Sequence, residues 1–127
     1  MARKRTPTLT ETELRLMDVV WDRGEATVHD VIDALPEKSR PAYNTVLTTM
    51  RILETKGYLG HDKRGRAHVY RPLVSRDKAR RKALHHVVRN FYDNSAELLM
   101  LNVLEDKQLT RDEIDRLRDV LDKLDRS

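Results

Sequence analysis

Tyr43, Asn44, Thr45, Thr48 and Thr49 are the residues of this chain with the clearest capacity for recognition chemistry. They lie in a segment, Pro41 to Gly57, whose Val46, Met50 and Leu53, with Leu47 alongside, recur at helical spacing as an apolar stripe. Turning that stripe inward turns the tyrosine, asparagine and threonines outward. Threonine and asparagine weaken a helix by roughly half a kcal/mol each relative to alanine, so an exposed helix face has no structural need of them. A threonine hydroxyl donates or accepts at a base edge, its methyl packs on the thymine methyl, and asparagine holds adenine by two hydrogen bonds. The plainer alternative is an indifferent polar surface. Taken as a group, the five residues point to a helix that reads the major groove of double-stranded DNA.

Cations flank this segment. Lys63-Arg64-Gly65-Arg66 reads as a hairpin tip in which glycine makes the reversal, while Lys63, Arg64 and Arg66 reach the phosphate backbone or minor groove. Arg40, just before the helix, and Arg51 on its flank are further phosphate candidates, although Arg51 can equally pair with Glu54 or Asp62. The run from Arg76 to Lys82 either neighbours the backbone or serves solubility.

Positioning these groups requires a definite order of elements. Residues 1–8 read as a flexible basic arm. Thr10 and Glu13 form a capping box for a first helix, with Leu14, Met17, Val20 and Trp21 on one face and Gly24 at its end. Thr27 and Asp30 start a second, with Val28, Val31, Ile32 and Leu35 to one side and Pro36 as its stop. Pro41 suits the first turn of the third helix, and Gly57 closes it. Residues 58–62 and 67–71 are the strands of the hairpin, which Pro72 ends. Helix, turn, helix and hairpin make a winged helix-turn-helix domain over residues 9–74.

Residues 75–127 read as wholly helical. Ser75 caps a helix through Tyr92 with Val87 and Phe91 on one flank; Ser95 caps a short apolar helix with Leu98, Leu101 and Leu104. A capping box at Thr110 and Glu113 opens the last helix, where Ile114, Leu117, Leu121 and Leu124 recur at spacings of three and four. Helices apolar on more than one side cannot bury themselves in one chain, which predicts a homodimerisation domain. The fold class is thus α+β, a winged helix followed by an all-α unit.

Composition sets the outer bounds. The chain has 127 residues, 39% apolar and 36% charged, with one Trp and one Phe, so its core is lean. The net charge of +4 is uneven. Residues 76–92 hold six Lys/Arg against one Asp/Glu, whereas residues 93–127 hold six against ten, so a polyanion is expected to sit away from the C-terminal end. The absence of cysteine removes disulfides, thiolate catalysis and Cys-ligated metals. His29, His61 and His68 lack carboxylates at metal-site spacing, the adjacent His85 and His86 point about 100° apart on a helix and cannot both face one ion, and no phosphate loop or nucleophile elbow is present. No metal, cofactor or enzymatic activity is expected. No run approaches the roughly 18 apolar residues of a membrane span, so no membrane insertion is expected and the cytoplasm is the expected compartment.

Several of these segments resemble a known family. Leu9-Thr-Glu-Thr-Glu-Leu-Arg-Leu-Met17 running to Trp21, Thr27-Val-His-Asp-Val31, Ala42-Tyr43-Asn-Thr45-Val-Leu-Thr48-Thr-Met50 and Lys56-Gly57 are similar to the penicillinase-repressor family (BlaI/MecI type), over roughly residues 9–124. The resemblance implies a homodimeric repressor on a palindromic operator of β-lactamase or related resistance genes. It also implies inactivation triggered by a membrane-bound sensor protease, with cleavage between Asn102 and Val103; the best-known members carry Phe where this chain has Val103. A copper-responsive (CopY-type) branch of the family uses a Cys-x-Cys array, which a chain without cysteine does not have. Two other readings stay open on the residues alone: a winged-helix regulator that senses a small ligand, and a winged-helix module that binds protein.

Overall fold

The computed structural model describes residues 8–127; the arm read over residues 1–8 lies outside them apart from Thr8. Helix α1 (Glu11–Arg23) starts at the expected capping box, with Thr10 Oγ1 accepting from the Glu13 N–H and Glu13 Oε1 accepting from the Thr10 N–H at 2.8 Å. Gly24, at φ 86°, closes it. The buried face differs from the expected one. Leu16, Met17 and Val20 are fully buried while Leu14 is 43% exposed, and Glu13 is buried against Lys56, just past the end of the third helix.

Helix α2 (Val28–Ala34) opens on a second complete capping box, Thr27 with Asp30, and ends at Leu35 before Pro36. A single 3-10 turn, Glu37–Ser39, leads to α3 (Tyr43–Thr55). Pro41 falls before the first turn of α3 and not within it, since the helix starts at Tyr43 after an extended Ala42. Proline disfavours a helical residue immediately before it, and Arg40 is accordingly extended, so the chain needs one more residue to enter the helix. Val46, Met50 and Leu53 are fully buried, as the stripe predicts, and Gly57 takes φ 90° just past the helix end.

The hairpin comprises β1 (Leu59–Arg64) and β2 (Ala67–Pro72), antiparallel, with Arg64 opposite Ala67 and His61 opposite Tyr70. Its turn is the two residues Gly65 and Arg66, so Lys63 and Arg64 belong to the strand and not to the tip. A positive φ of 61° at Gly65, with none at Arg66, is the type II′ pattern that suits the twist of paired strands. A short bridge that sequence periodicity did not signal joins Ala26 to Tyr70 through two backbone hydrogen bonds of 2.9 and 2.8 Å, fixing the hairpin to the α1–α2 loop.

These elements share one core, with Tyr58, Tyr70, Leu59 and Val31 joining the helical residues already named. Complete burial of each large apolar side chain contributes on the order of 2 kcal/mol. Helix α4 (Arg76–Phe91) is capped by Ser75 and adds Ala79 to that core. The chain divides into two compact units between His86 and Val87, inside α4 and beyond the sequence-based boundary at 74/75.

The second unit contains α5 (Ala96–Asp106), capped by Ser95, and α6 (Arg111–Arg126), opened by the Thr110–Glu113 capping box. Asp93 and Asn94 both take positive φ in the turn before α5. No residue of α5 or α6 is buried. Phe91 is 73%, Leu121 61% and Leu124 66% exposed, while Leu98, Leu101, Leu104 and Leu117 are exposed to a lesser degree and Val87 and Ile114 are half-buried.

Candidate nucleic-acid interface

Helix α3 owes its orientation to the core stripe, and that stripe decides what the opposite face offers. Tyr43, Asn44, Thr45 and Thr48 are exposed together on it. Thr49 is half-buried and its hydroxyl donates to the Thr45 carbonyl at 2.8 Å, which occupies its proton and leaves its oxygen only as an acceptor. The Tyr43 ring is braced by His29 of α2, with ring centroids 5.0 Å apart. His29 lies in the first turn of α2, and its place in the sequence gives no sign of a neighbour in the next helix.

The expected phosphate contacts divide by what they already bind. Arg40 donates through Nε and Nη2 to the Leu35 carbonyl and through Nη2 to that of Asp33, so it caps the end of α2; its Nη1 takes no part in these bonds. Arg64 is bidentate to Glu25 at 2.6 and 3.1 Å, a latch between the hairpin and the α1–α2 loop. Lys63, Arg66 and Arg51 make no ion pair among the described residues. Both alternative partners of Arg51 are engaged elsewhere: Glu54 Oε2 lies 2.6 Å from His61 Nδ1, and Asp62 accepts from Arg71 at 2.7 Å.

In the run Arg76 to Lys82, Arg76 bonds Asp22 at 2.9 Å and lies over the Trp21 ring, Arg81 bonds Asp77, and Lys82 lies over Tyr58. Lys78 and Arg80 make no ion pair among the described residues. Arg76 and Lys82 thus fasten α4 to α1 and to Tyr58, while the Arg81–Asp77 pair lies within α4 itself.

Between α3 and the hairpin runs an open groove of about 380 Å³, lined by His29, Tyr43, Arg51, Arg66, His68 and Tyr70 among others. His68 stacks on His61 at 4.5 Å, 17° from parallel. The hairpin register places His61, Lys63, His68 and Tyr70 on one face, the one His61 turns toward Glu54 of α3. A reading of the turn as Gly65-Arg66 would have given that face from the alternation of the strands alone. Among the described residues no cluster of three His, Asp or Glu side chains could hold a metal ion.

Comparison with known proteins adds independent findings. The family profile described as "Penicillinase repressor" matches residues 9–123. The penicillinase repressor of Bacillus licheniformis is 31% identical over 120 residues, covering 94% of each chain. The methicillin resistance regulatory protein MecI of Staphylococcus aureus (strain N315) is 24% identical over 119 residues, covering 94% of this chain and 97% of its own. The solution structure of the DNA-binding domain of the repressor BlaI is 32% identical, with a TM-score of 0.52, and covers 60% of this chain and 93% of that one. The match to that domain agrees with the winged-helix fold of the first unit.

Proposed function

We propose that this chain, which belongs to the penicillinase repressor family, is a sequence-specific DNA-binding transcriptional repressor. The observation that carries this reading is the exposed group Tyr43, Asn44, Thr45 and Thr48, held opposite a fully buried stripe and beside a hairpin bearing unpaired cations. Helix α3 enters the major groove, Asn44, Thr45 and Thr48 meet base edges, and Lys63, Arg66 and Arg51 contact phosphates. Its relatives are named as a repressor and as a regulatory protein, not as enzymes, which supports a role in binding rather than catalysis.

The repressor acts as a homodimer. The apolar side chains of α5 and α6, together with Phe91, stay largely uncovered in a single chain, and a second copy that covers them would place two recognition helices on two half-sites. Linking the half-sites raises affinity through effective concentration. The operator is palindromic and controls a β-lactamase or a related resistance gene, the class of target that the relatives' names carry. No described helix is long and apolar enough to cross a membrane, and the protein works in the cytoplasm, where its DNA is.

Induction proceeds by cleavage between Asn102 and Val103, set off by a membrane-bound sensor protease. Asn102 is half-buried in the middle of α5, so the bond becomes available only when that helix opens locally, which its lack of a buried face favours. Separation of α6 then abolishes the dimer linkage.

The decisive test is fluorescence anisotropy with the promoter duplex adjoining its own gene, against a scrambled duplex, at two salt concentrations. Selective binding of two chains per operator with a steep salt slope is the expected result. Equal, weak binding to both duplexes overturns the repressor reading.

A further inference from the structure

Within the first unit, α1 and α4 border a second open groove, of about 300 Å³. To it α1 presents Leu14 and Trp21, two helical turns apart, while α4 presents Ala79, Arg80 and Ala83. The two alanines leave space where larger side chains would have met α1, and Leu14 is accordingly 43% exposed. The Trp21 N–H donates to the Val74 carbonyl at 2.9 Å, so the indole has its polar atom satisfied and offers the groove its ring. Charge enters this lining at three places. Arg76 and Asp18 are already committed: Arg76 Nη2 bonds Asp22 at 2.9 Å and reaches Asp18 at 3.5 Å. Arg80 makes no ion pair among the described residues. An apolar concavity with one uncommitted guanidinium at its edge has the composition of a site for a small amphipathic anion.

We infer that this groove binds a small apolar carboxylate, its hydrocarbon body packed on Leu14, Trp21 and the two alanines and its carboxylate gripped by Arg80. Charge argues against the chain's own N-terminal residues as the occupant, since Arg3, Lys4 and Arg5 bring cations to a groove whose uncommitted charge is already positive. The volume of about 300 Å³ admits one ring or a short hydrocarbon chain, not a folded partner. The groove shares no lining residue with the recognition face or the hairpin, so this site goes beyond DNA binding. A ligand held there bridges α1 to α4, the helix inside which the two units meet.

Trp21 is the only tryptophan of the chain, so its emission reports on the groove directly. The probes are cyclohexylacetate and octanoate, which do not absorb where tryptophan does. They are set against their neutral amides and against cyclohexylmethylamine, all titrated into the full chain without DNA. A saturable change in emission is expected with either carboxylate, and its amide should bind about tenfold more weakly. In Arg80→Gln the carboxylate is expected to fall to the affinity of its amide, while the amide's own affinity holds. Ala83→Leu fills the groove from an exposed position with a strong helix former, so saturation should vanish while the thermal midpoint is kept. Emission that never saturates with either carboxylate, or saturation that survives in Ala83→Leu, overturns the site. An amide or amine that binds as tightly as the carboxylate overturns the anionic class. If Ala83→Leu converts a dimer into a monomer by light scattering, the groove belongs to a second copy, and the ligand is overturned. None of these outcomes bears on operator selectivity, so the repressor reading is tested separately.

Discussion

Lys56 Nζ and Glu13 Oε1 lie 2.7 Å apart, joining the end of α3 to the first turn of α1, and the same oxygen accepts the Thr10 N–H. Glu13 is 5% exposed, the one buried charged residue among those described. The pair thus fixes the recognition helix to the scaffold while completing a helix cap. Glu13→Ala removes the carboxylate half of the capping box and the ion-pair partner of Lys56, which keeps only the Thr8 carbonyl at 3.5 Å. A loss of about 3 kcal/mol is expected in urea unfolding. A loss under about 0.5 kcal/mol would mean that the pair is in effect solvated.

The same carboxylate makes stability acid-sensitive. Burial pushes the Glu13 carboxyl up, but Lys56 and the Thr10 N–H together outweigh it and hold the group below the ordinary glutamate value of 4.5. The Thr27 N–H lowers Asp30, and the Thr110 N–H lowers Glu113, in the same way. A carboxyl depressed in the folded state binds protons more readily when unfolded, so its stabilisation is fully present above the unfolded value. It is lost as pH falls through the lower folded value. The thermal midpoint should therefore fall below about pH 4.5, and Glu13→Gln should flatten that descent. Midpoints measured between pH 7 and pH 3 check the slope.

On the recognition face, Asn44→Ala and Thr48→Ala are each expected to cost about 1–3 kcal/mol on the promoter duplex and to change binding to scrambled duplex little. Neither should alter the salt slope. Equal losses on both duplexes would remove these side chains from base readout.

The hairpin cations should behave in the opposite way. Lys63→Ala is expected to weaken every duplex alike and to reduce the salt slope by about 0.9. Glu25→Ala releases Arg64 from its bidentate latch, so binding should strengthen and the slope steepen by a similar amount, unless the latch is what aims the hairpin. Weaker binding by Glu25→Ala would assign Arg64 to positioning.

For the second unit, Leu121→Asp combined with Leu124→Asp is expected to give a monomer by size-exclusion light scattering. Affinity for the full operator should drop by roughly a hundredfold, toward that of a half-site. A chain ended at Asn102 should behave likewise, and full operator affinity in that truncation would sink the proteolytic switch.

Much of this protein is legible in its sequence because the determining signals are local. Capping boxes at Thr10, Thr27 and Thr110, the Val46-Met50-Leu53 stripe and Gly57 fix where the helices run, since each acts within one or two turns of backbone. The outward face of α3 follows from its inward one, and the exposed leucines of α6 follow from their spacing.

What sequence could not give is what residues distant along the chain do to one another. The spacing puts Leu14 inside, yet it is 43% exposed, while Glu13 is buried against Lys56, far along the chain. Arg40 and Arg64, read as free cations, are committed to Leu35, Asp33 and Glu25. Arg51, by contrast, has no partner because His61 and Arg71 hold both of its candidate acids. Composition counts charges; only tertiary structure decides which are neutralised at home and which remain for a partner, because that depends on distances of a few ångströms between elements that periodicity does not relate.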